Sequence, residues 1–124
     1  MIENNLIEDI NTGNVFGGYE TGGIKLHDAV DVIIRGNVIR RVTGGTGQFA
    51  GIWLDWGAQG TRVTGNIVYD LTAMALFVQN THGGPNLVDN KIFSGRVRST
   101  AGNVVFAHNL SADYEQSCGI ENFR

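Results

Sequence analysis

The chain has 124 residues and a formal net charge of −3; 17% of its residues are charged and 42% are hydrophobic. This composition is typical of an ordered domain, and the absence of a basic groove argues against nucleic acid as a partner. The single cysteine excludes an internal disulfide and a cysteine-based metal cluster. No apolar run reaches the roughly 20 residues that cross a bilayer, so no membrane partner is expected. The first residues lack the features of a signal peptide, which leaves the compartment open and slightly favours the cytoplasm.

An asparagine motif recurs along the chain, among 18 glycines that separate stretches rich in Val, Ile and Thr. The motif is an apolar residue, two variable positions, Asn, one variable position and a second apolar residue. It reads "IENNLI", "IRGNVI", "VTGNIV" and "LVDNKI", with a weaker copy in "FAHNLS". Its asparagines are Asn5, Asn37, Asn66, Asn90 and Asn109.

The spacing of these asparagines predicts the fold. Successive intervals fall from 32 to 29, 24 and 19 residues, and a repeat of this length indicates a solenoid. Short strands and tight turns favour an all-β parallel β-helix of about four to five coils, with the asparagines in a ladder at one corner. We interpret residues 1–124 as one incomplete β-helix domain, with 111–124 as an irregular tail. Because solenoid ends need covering, uncapped coils predict a homo-oligomer.

A second repeat lies between the asparagines, where "GIKLHD", "GIWLDW" and "ALFVQN" align without gaps. Side chains alternate along a strand, so every second residue of each segment points into the coil. The predicted inward residues are Ile24, Leu26, Ile52, Leu54, Leu76 and Val78. The remaining residues of each segment are predicted to point outward and to form two columns across three coils. One column contains His27, Asp55 and Gln79, and the other contains Lys25, Trp53 and Phe77.

These outward columns suggest a carbohydrate site. Stacked parallel strands lie about 4.8 Å apart, close to the roughly 5 to 5.5 Å between the two carboxyl groups of a retaining glycosidase. An exposed indole beside a carboxylate also suits a sugar, because the ring stacks on the sugar while polar groups bind its hydroxyls. Trp53 and Trp56 flank Asp55 and provide such rings. The alternative interpretation is that both tryptophans pack under a neighbouring segment.

The segments "GIKLHDAVDVIIRGNVIRR", "GIWLDWGAQGTRVTGNIVYD" and "LFVQNTHGGPNLVDNKIF" resemble the central coils of the β-helix β-xylosidases of glycoside hydrolase family 120, which implies a right-handed parallel β-helix. The resemblance covers roughly residues 23–95 and implies that Asp55 is a retaining nucleophile. It also implies that the acid/base is a Glu on the following coil, at a position that is Gln79 here. Because a carboxamide cannot transfer that proton, we expect weak or absent hydrolysis of unactivated glycosides.

The residues predict a carbohydrate-active protein, and the resemblance implies that it hydrolyses xylosides or only binds them. His27, Trp53, Trp56, Phe77 and His82 are the predicted substrate-binding residues. The alternatives are a non-catalytic carbohydrate-binding or structural β-helix module, and a polysaccharide lyase, for which Lys25 would be the base. No cofactor and no metal site is expected, since the three histidines lie on separate coils without a pattern of supporting acids.

Overall fold

The computed structural model describes residues 1–44, 48–81 and 83–112, together with the backbone of 116–118. Fifteen short strands form three parallel sheets of five strands each. The first sheet contains β1 (Ile2–Glu3), β4 (Ile33–Arg35), β7 (Arg62–Thr64), β10 (Asn86–Asp89) and β13 (Val104–Phe106). The second contains β2 (Leu6–Ile10), β5 (Val38–Val42), β8 (Ile67–Leu71), β11 (Ile92–Ser94) and β14 (Ser111–Ala112). The third contains β3 (Thr21–Leu26), β6 (Phe49–Leu54), β9 (Met74–Val78), β12 (Val97–Ser99) and β15 (Gln116–Cys118).

The chain visits the three sheets in rotation, so each set of three consecutive strands makes one coil of a parallel β-helix. This confirms the predicted solenoid, and the five strands in each sheet agree with the predicted four to five coils. Two strands, β14 and β15, lie in the segment 111–124 that the sequence predicts to be irregular. Within the part of the chain that the structure describes, there is no helix long and apolar enough to cross a membrane.

The interior of the coils is a continuous apolar core. Ile24, Ile52, Leu54, Leu76 and Val78 belong to it, and Leu26 packs against it while partly buried, so the predicted inward phase is confirmed. Each fully buried side chain of this size contributes roughly 1.5 to 3 kcal/mol of stability through the apolar area removed from water. The core therefore holds the coils in register and fixes which residues of the third sheet face outward.

The asparagine ladder forms at the corner between the first and second sheets. The backbone N–H and Nδ2 of Asn37 both donate to Oδ1 of Asn66, at 3.0 and 2.9 Å. Asn66 makes the same pair of bonds to Asn90, at 3.1 and 2.7 Å. The left-handed backbone conformation falls on the preceding residue rather than on the asparagine, and Gly36 and Gly65 both have a φ of 62° there. Glycine adopts this conformation without steric strain, which frees the asparagine side chain to stack.

Candidate functional site

The candidate site lies on the outer face of the third sheet, where four side chains form one column. Lys25 pairs in register with Trp53, Trp53 with Phe77, and Phe77 with Arg98. The first three members are those predicted from the sequence, and Arg98 extends the column to the fourth coil. The two aromatic rings are thus placed between two cationic side chains.

The rings of this column are stacked and covered. The centroids of Trp53 and Phe77 are 5.1 Å apart with an interplanar angle of 38°. Lys25 Nζ lies 4.2 Å from the centroid of the Trp53 ring, and Arg98 Cζ lies 5.2 Å from that of Phe77. Such cation–π contacts hold the charged groups over the rings, while the aliphatic stems of the cations shield apolar surface.

The prediction that Trp53 and Phe77 are exposed is wrong. Trp53 is 1% exposed and Phe77 is 0% exposed, and they form a second apolar cluster with Ala50 and Met74. Strands β6 and β9 are consequently buried on both faces, as is common for parallel sheets. Because Lys25 and Phe77 occupy the neighbouring rungs on either side, neither face of the Trp53 ring is open to a sugar.

The predicted polar row occurs at the carboxyl ends of the same strands. The backbone N–H of Asp55 donates to the carbonyl of Leu26 at 2.9 Å, and that of Gln79 donates to Leu54 at 2.8 Å. These bonds continue the strand register, so His27, Asp55 and Gln79 follow one another on neighbouring coils. Their environments differ, however: His27 is exposed, Gln79 is partly buried, and Asp55 is only 2% exposed.

The Asp55 carboxylate pairs with Lys25 and not with His27. Asp55 Oδ2 lies 2.9 Å from Lys25 Nζ, which also lies 3.2 Å from Glu20 Oε2. His27 Nδ1 instead lies 3.1 Å from Asp28 Oδ2. The prediction that Asp55 lies on an open outer face is therefore wrong, since Lys25 reaches from the neighbouring coil across Trp53 to the carboxylate.

This pairing determines what Asp55 can do chemically. A buried carboxylate is strongly destabilising unless a cation or several hydrogen bonds compensate it, and Lys25 provides that compensation. The second oxygen, Oδ1, is buried without a hydrogen-bond partner among the described residues. A glycosidase nucleophile must contact the anomeric carbon of its substrate. Asp55, as placed here, is shielded from such contact.

Trp56 is the exposed aromatic residue beside this row. It is 57% exposed and opens the turn that follows β6, where its carbonyl accepts a 2.6 Å hydrogen bond from the N–H of Asp28. The turn requires a left-handed residue, and Gly57 supplies it with a φ of 69°. Trp56 thus retains the exposure that Trp53 lacks. His82, also predicted to bind substrate, lies outside the described residues.

Two features of the site were missed by sequence reasoning. One is the ion pair between Lys25 and Asp55. Its signal in the sequence was a lysine in the preceding repeat, two positions before His27, the residue that aligns with Asp55. The other is Asn86, whose Oδ1 accepts the Thr61 N–H at 3.0 Å at the next corner of the coil. Asn86 stands in only one coil, so no repeat pointed to it. No group of three potential metal ligands occurs among the residues that the structure describes.

Two cavities lie away from Asp55. One, of about 420 Å³, lies between Phe93, Phe106 and Ser111 of the fourth and fifth coils. The other, of about 150 Å³, lies beside Thr72, Arg96 and Arg98. Neither includes Asp55 or Trp56 in its lining.

Comparison of the chain with protein-family models, with curated proteins and with solved structures gives no match. The fold is that of a parallel β-solenoid. The likeness to family 120 β-xylosidases accordingly rests on the sequence segments quoted above.

Proposed function

We propose that this chain is a carbohydrate-binding β-helix that holds a xylose-containing saccharide at its surface without hydrolysing it. The observation that carries the non-catalytic part is the Lys25–Asp55 pair, which shields the carboxylate that a retaining enzyme would use. Gln79, one coil further on, supplies an amide where such an enzyme would need an acid/base. Asp55 is therefore shielded from acting as the nucleophile, and Gln79 cannot act as the acid/base.

Support for a sugar ligand comes from what stays exposed beside this pair. Trp56 presents an open indole, and His27 presents an imidazole with 57% of its side chain exposed. An aromatic face with nearby polar groups is the usual basis of sugar recognition. The choice of xylose derives from the resemblance alone.

The test is a titration with xylo-oligosaccharides followed by NMR chemical shifts. The Trp56→Ala variant should bind at least tenfold more weakly than the native chain, because stacking on the indole is lost. Val30→Ala is the matched control, since Val30 is also 57% exposed and lies outside the polar row. Equal binding by Trp56→Ala, or the absence of saturable binding in the native chain, would contradict the proposal.

An impaired retaining glycosidase is the second candidate. The observation that favours it is the register of Asp55 with Gln79, because adjacent rungs are about 4.8 Å apart and match the spacing of a retaining pair. Incubation with an activated aryl xyloside, followed by mass spectrometry of the intact protein, separates the candidates. A pentosyl adduct on Asp55 and turnover by Gln79→Glu would establish the glycosidase. Saturable binding without an adduct would support the binding module.

A further inference from the structure

The smaller of the two cavities, of about 150 Å³, lies where the second sheet passes into the third. Three consecutive coils line it, namely the second, the third and the fourth. The residues whose side chains matter here are Gln48, Phe49, Thr72, Met74, Arg96 and Arg98. We call this cavity the arginine pocket. Because hydrogen bonds between parallel strands join each coil to the next, the stacking of the β-helix sets the shape of the pocket.

Two guanidinium groups give the arginine pocket its charge. Arg96 directly precedes β12 and Arg98 lies on it, and both line the pocket. The described lining contains no carboxylate. Each described arginine of the first two sheets pairs with an acid of a neighbouring coil, as Arg62 does with Asp89 at 2.9 Å, whereas no salt bridge among the described residues involves Arg96 or Arg98. Two positive charges that face one small space favour an anion between them.

The aromatic column of the third sheet positions one of these groups. Arg98 is in register with Phe77, and its Cζ lies 5.2 Å from the centroid of the Phe77 ring. This cation–π contact restrains a side chain that is only partly buried. An anion that enters the pocket therefore meets a cation already held in place, which lowers the entropy cost of binding.

Neutral donors and an apolar wall complete the pocket. The Gly44 N–H donates to Thr72 Oγ1 at 2.9 Å, which leaves the hydroxyl hydrogen of Thr72 free to donate. Gln48 supplies a side-chain amide with two further donors. Phe49 and Met74 are each 2% exposed and form the wall. The polar groups can thus donate to several oxygens of one anion.

The volume of the pocket limits the ligand to a single functional group. Pockets for whole small molecules have roughly 300 to 1,000 Å³, whereas one water occupies about 30 Å³ in the liquid. A cavity of about 150 Å³ lies well below the first range and has room for several waters. It suits a carboxylate, a sulfate or a phosphate, and guanidinium groups bind such oxyanions through two parallel hydrogen bonds.

We propose that the arginine pocket binds a small oxyanion, which is either the carboxylate of an acidic sugar or a free sulfate or phosphate. The chemistry common to these ligands is a negative charge spread over oxygens that accept hydrogen bonds. The inference goes beyond the saccharide surface proposed above and does not depend on it, because neither Trp56 nor Asp55 lines this pocket.

The experiment titrates the native chain with three probes, sodium sulfate, sodium phosphate and sodium glucuronate, at an ionic strength held constant with sodium chloride. The Nε–H NMR signals of Arg96 and Arg98 should shift and saturate. Arg96→Gln and Arg98→Gln should each bind at least tenfold more weakly, because each loses one guanidinium. Arg35→Gln is the matched control, since it removes the same charge from a side chain that is 53% exposed on the first sheet, and it should bind as the native chain does.

The order of the affinities identifies the source of the anion. Tighter binding of glucuronate supports a sugar carboxylate, and tighter binding of sulfate or phosphate supports a free inorganic anion. If circular dichroism shows that Arg98→Gln is unfolded, Arg98→Lys replaces it, because lysine keeps the charge but cannot form two parallel hydrogen bonds and should also bind more weakly. No saturable shift with any probe, equal weakening in Arg35→Gln, or competition by neutral glucose would overturn the proposal.

Discussion

Two corners of the same coils differ in whether their buried polar side chains are hydrogen-bonded. At the asparagine corner, Asn37 and Asn66 are fully buried, and their side chains donate and accept hydrogen bonds along the ladder. At the carboxyl ends of the third sheet, hereafter the aspartate corner, polar atoms are buried without hydrogen-bond partners among the described residues. These atoms are Asp55 Oδ1, Asn80 Oδ1, Thr81 Oγ1 and Thr100 Oγ1.

The difference follows from how parallel coils stack. Register places each residue above its counterpart, so a ladder forms only where the same self-complementary side chain recurs in every coil. Asparagine meets that condition because its amide both donates and accepts. At the aspartate corner the residue changes from His27 to Asp55 to Gln79, and the strongest contact is the ion pair from Lys25 on the neighbouring coil. One corner is therefore a repeated scaffold, and the other is specific to this chain.

The largest effect should come from the middle of the ladder. Asn66→Ala leaves the buried Asn37 backbone N–H without its acceptor. It also removes one of the two hydrogen bonds of Asn37 Nδ2, one of the two to Asn90 Oδ1, and the one to the Ile34 carbonyl. An unpaired buried donor costs about 1 to 3 kcal/mol and each further lost hydrogen bond about 1 kcal/mol, so we expect a loss of about 4 kcal/mol in the free energy of unfolding. Asn5→Ala, at the exposed end, should lose about 1 kcal/mol. Urea unfolding measures both, and equal losses would show that the ladder does not support the coils.

The aspartate corner should respond through its ion pair. Lys25→Met leaves the Asp55 carboxylate buried without its cation, which should reduce the free energy of unfolding by about 3 kcal/mol. The double variant Lys25→Met/Asp55→Leu should recover most of that loss, because it removes both charges. A double-mutant cycle from urea unfolding gives the coupling. Additive effects would show that the two groups do not interact.

Much of the fold was predictable because repetition is visible in a sequence. The five asparagine motifs predicted the coils and the corner ladder, and the alternation in "GIWLDW" predicted the inward residues. Burial of the outward residues was not predictable in the same way. Trp53 is covered because Lys25 and Phe77 stand on adjacent coils, and Asp55 because a flexible lysine side chain reaches it. Alternation tells which way a side chain points, but not what lies over it.

The two tryptophans should differ in solvent access. Trp53 is buried between Lys25 and Phe77, whereas Trp56 is 57% exposed. Trp56→Phe should therefore remove the part of the fluorescence that acrylamide quenches, and change the free energy of unfolding by less than about 0.5 kcal/mol. Trp53→Phe should leave the quenchable part in place. Strong quenching in the Trp56→Phe chain would mean that Trp53 is open after all.

The smallest expected effect is a loss of thermal stability at low pH. A hydrogen bond from Arg40, with further help from Arg41, lowers the pKa of Glu8 below its usual range, and one from Arg41 lowers that of Asp9. Because the folded pKa is lower than the unfolded one, these pairs stabilise the fold above the unfolded pKa and lose their effect as the pH falls through the folded values. Thermal unfolding should show a modest decline below about pH 4. Glu8→Gln should make that decline shallower, and an unchanged pH profile would count against the pairing.

The central claim is that Asp55 is a shielded, lysine-paired carboxylate. Carbodiimide coupling of glycine ethyl ester, read by peptide mass spectrometry, tests it directly. Asp28, whose side chain is 75% exposed, should be modified rapidly in the native chain, while Asp55 stays unmodified until urea unfolds the coils. Modification of Asp55 at the rate of Asp28 in the folded chain would contradict the account.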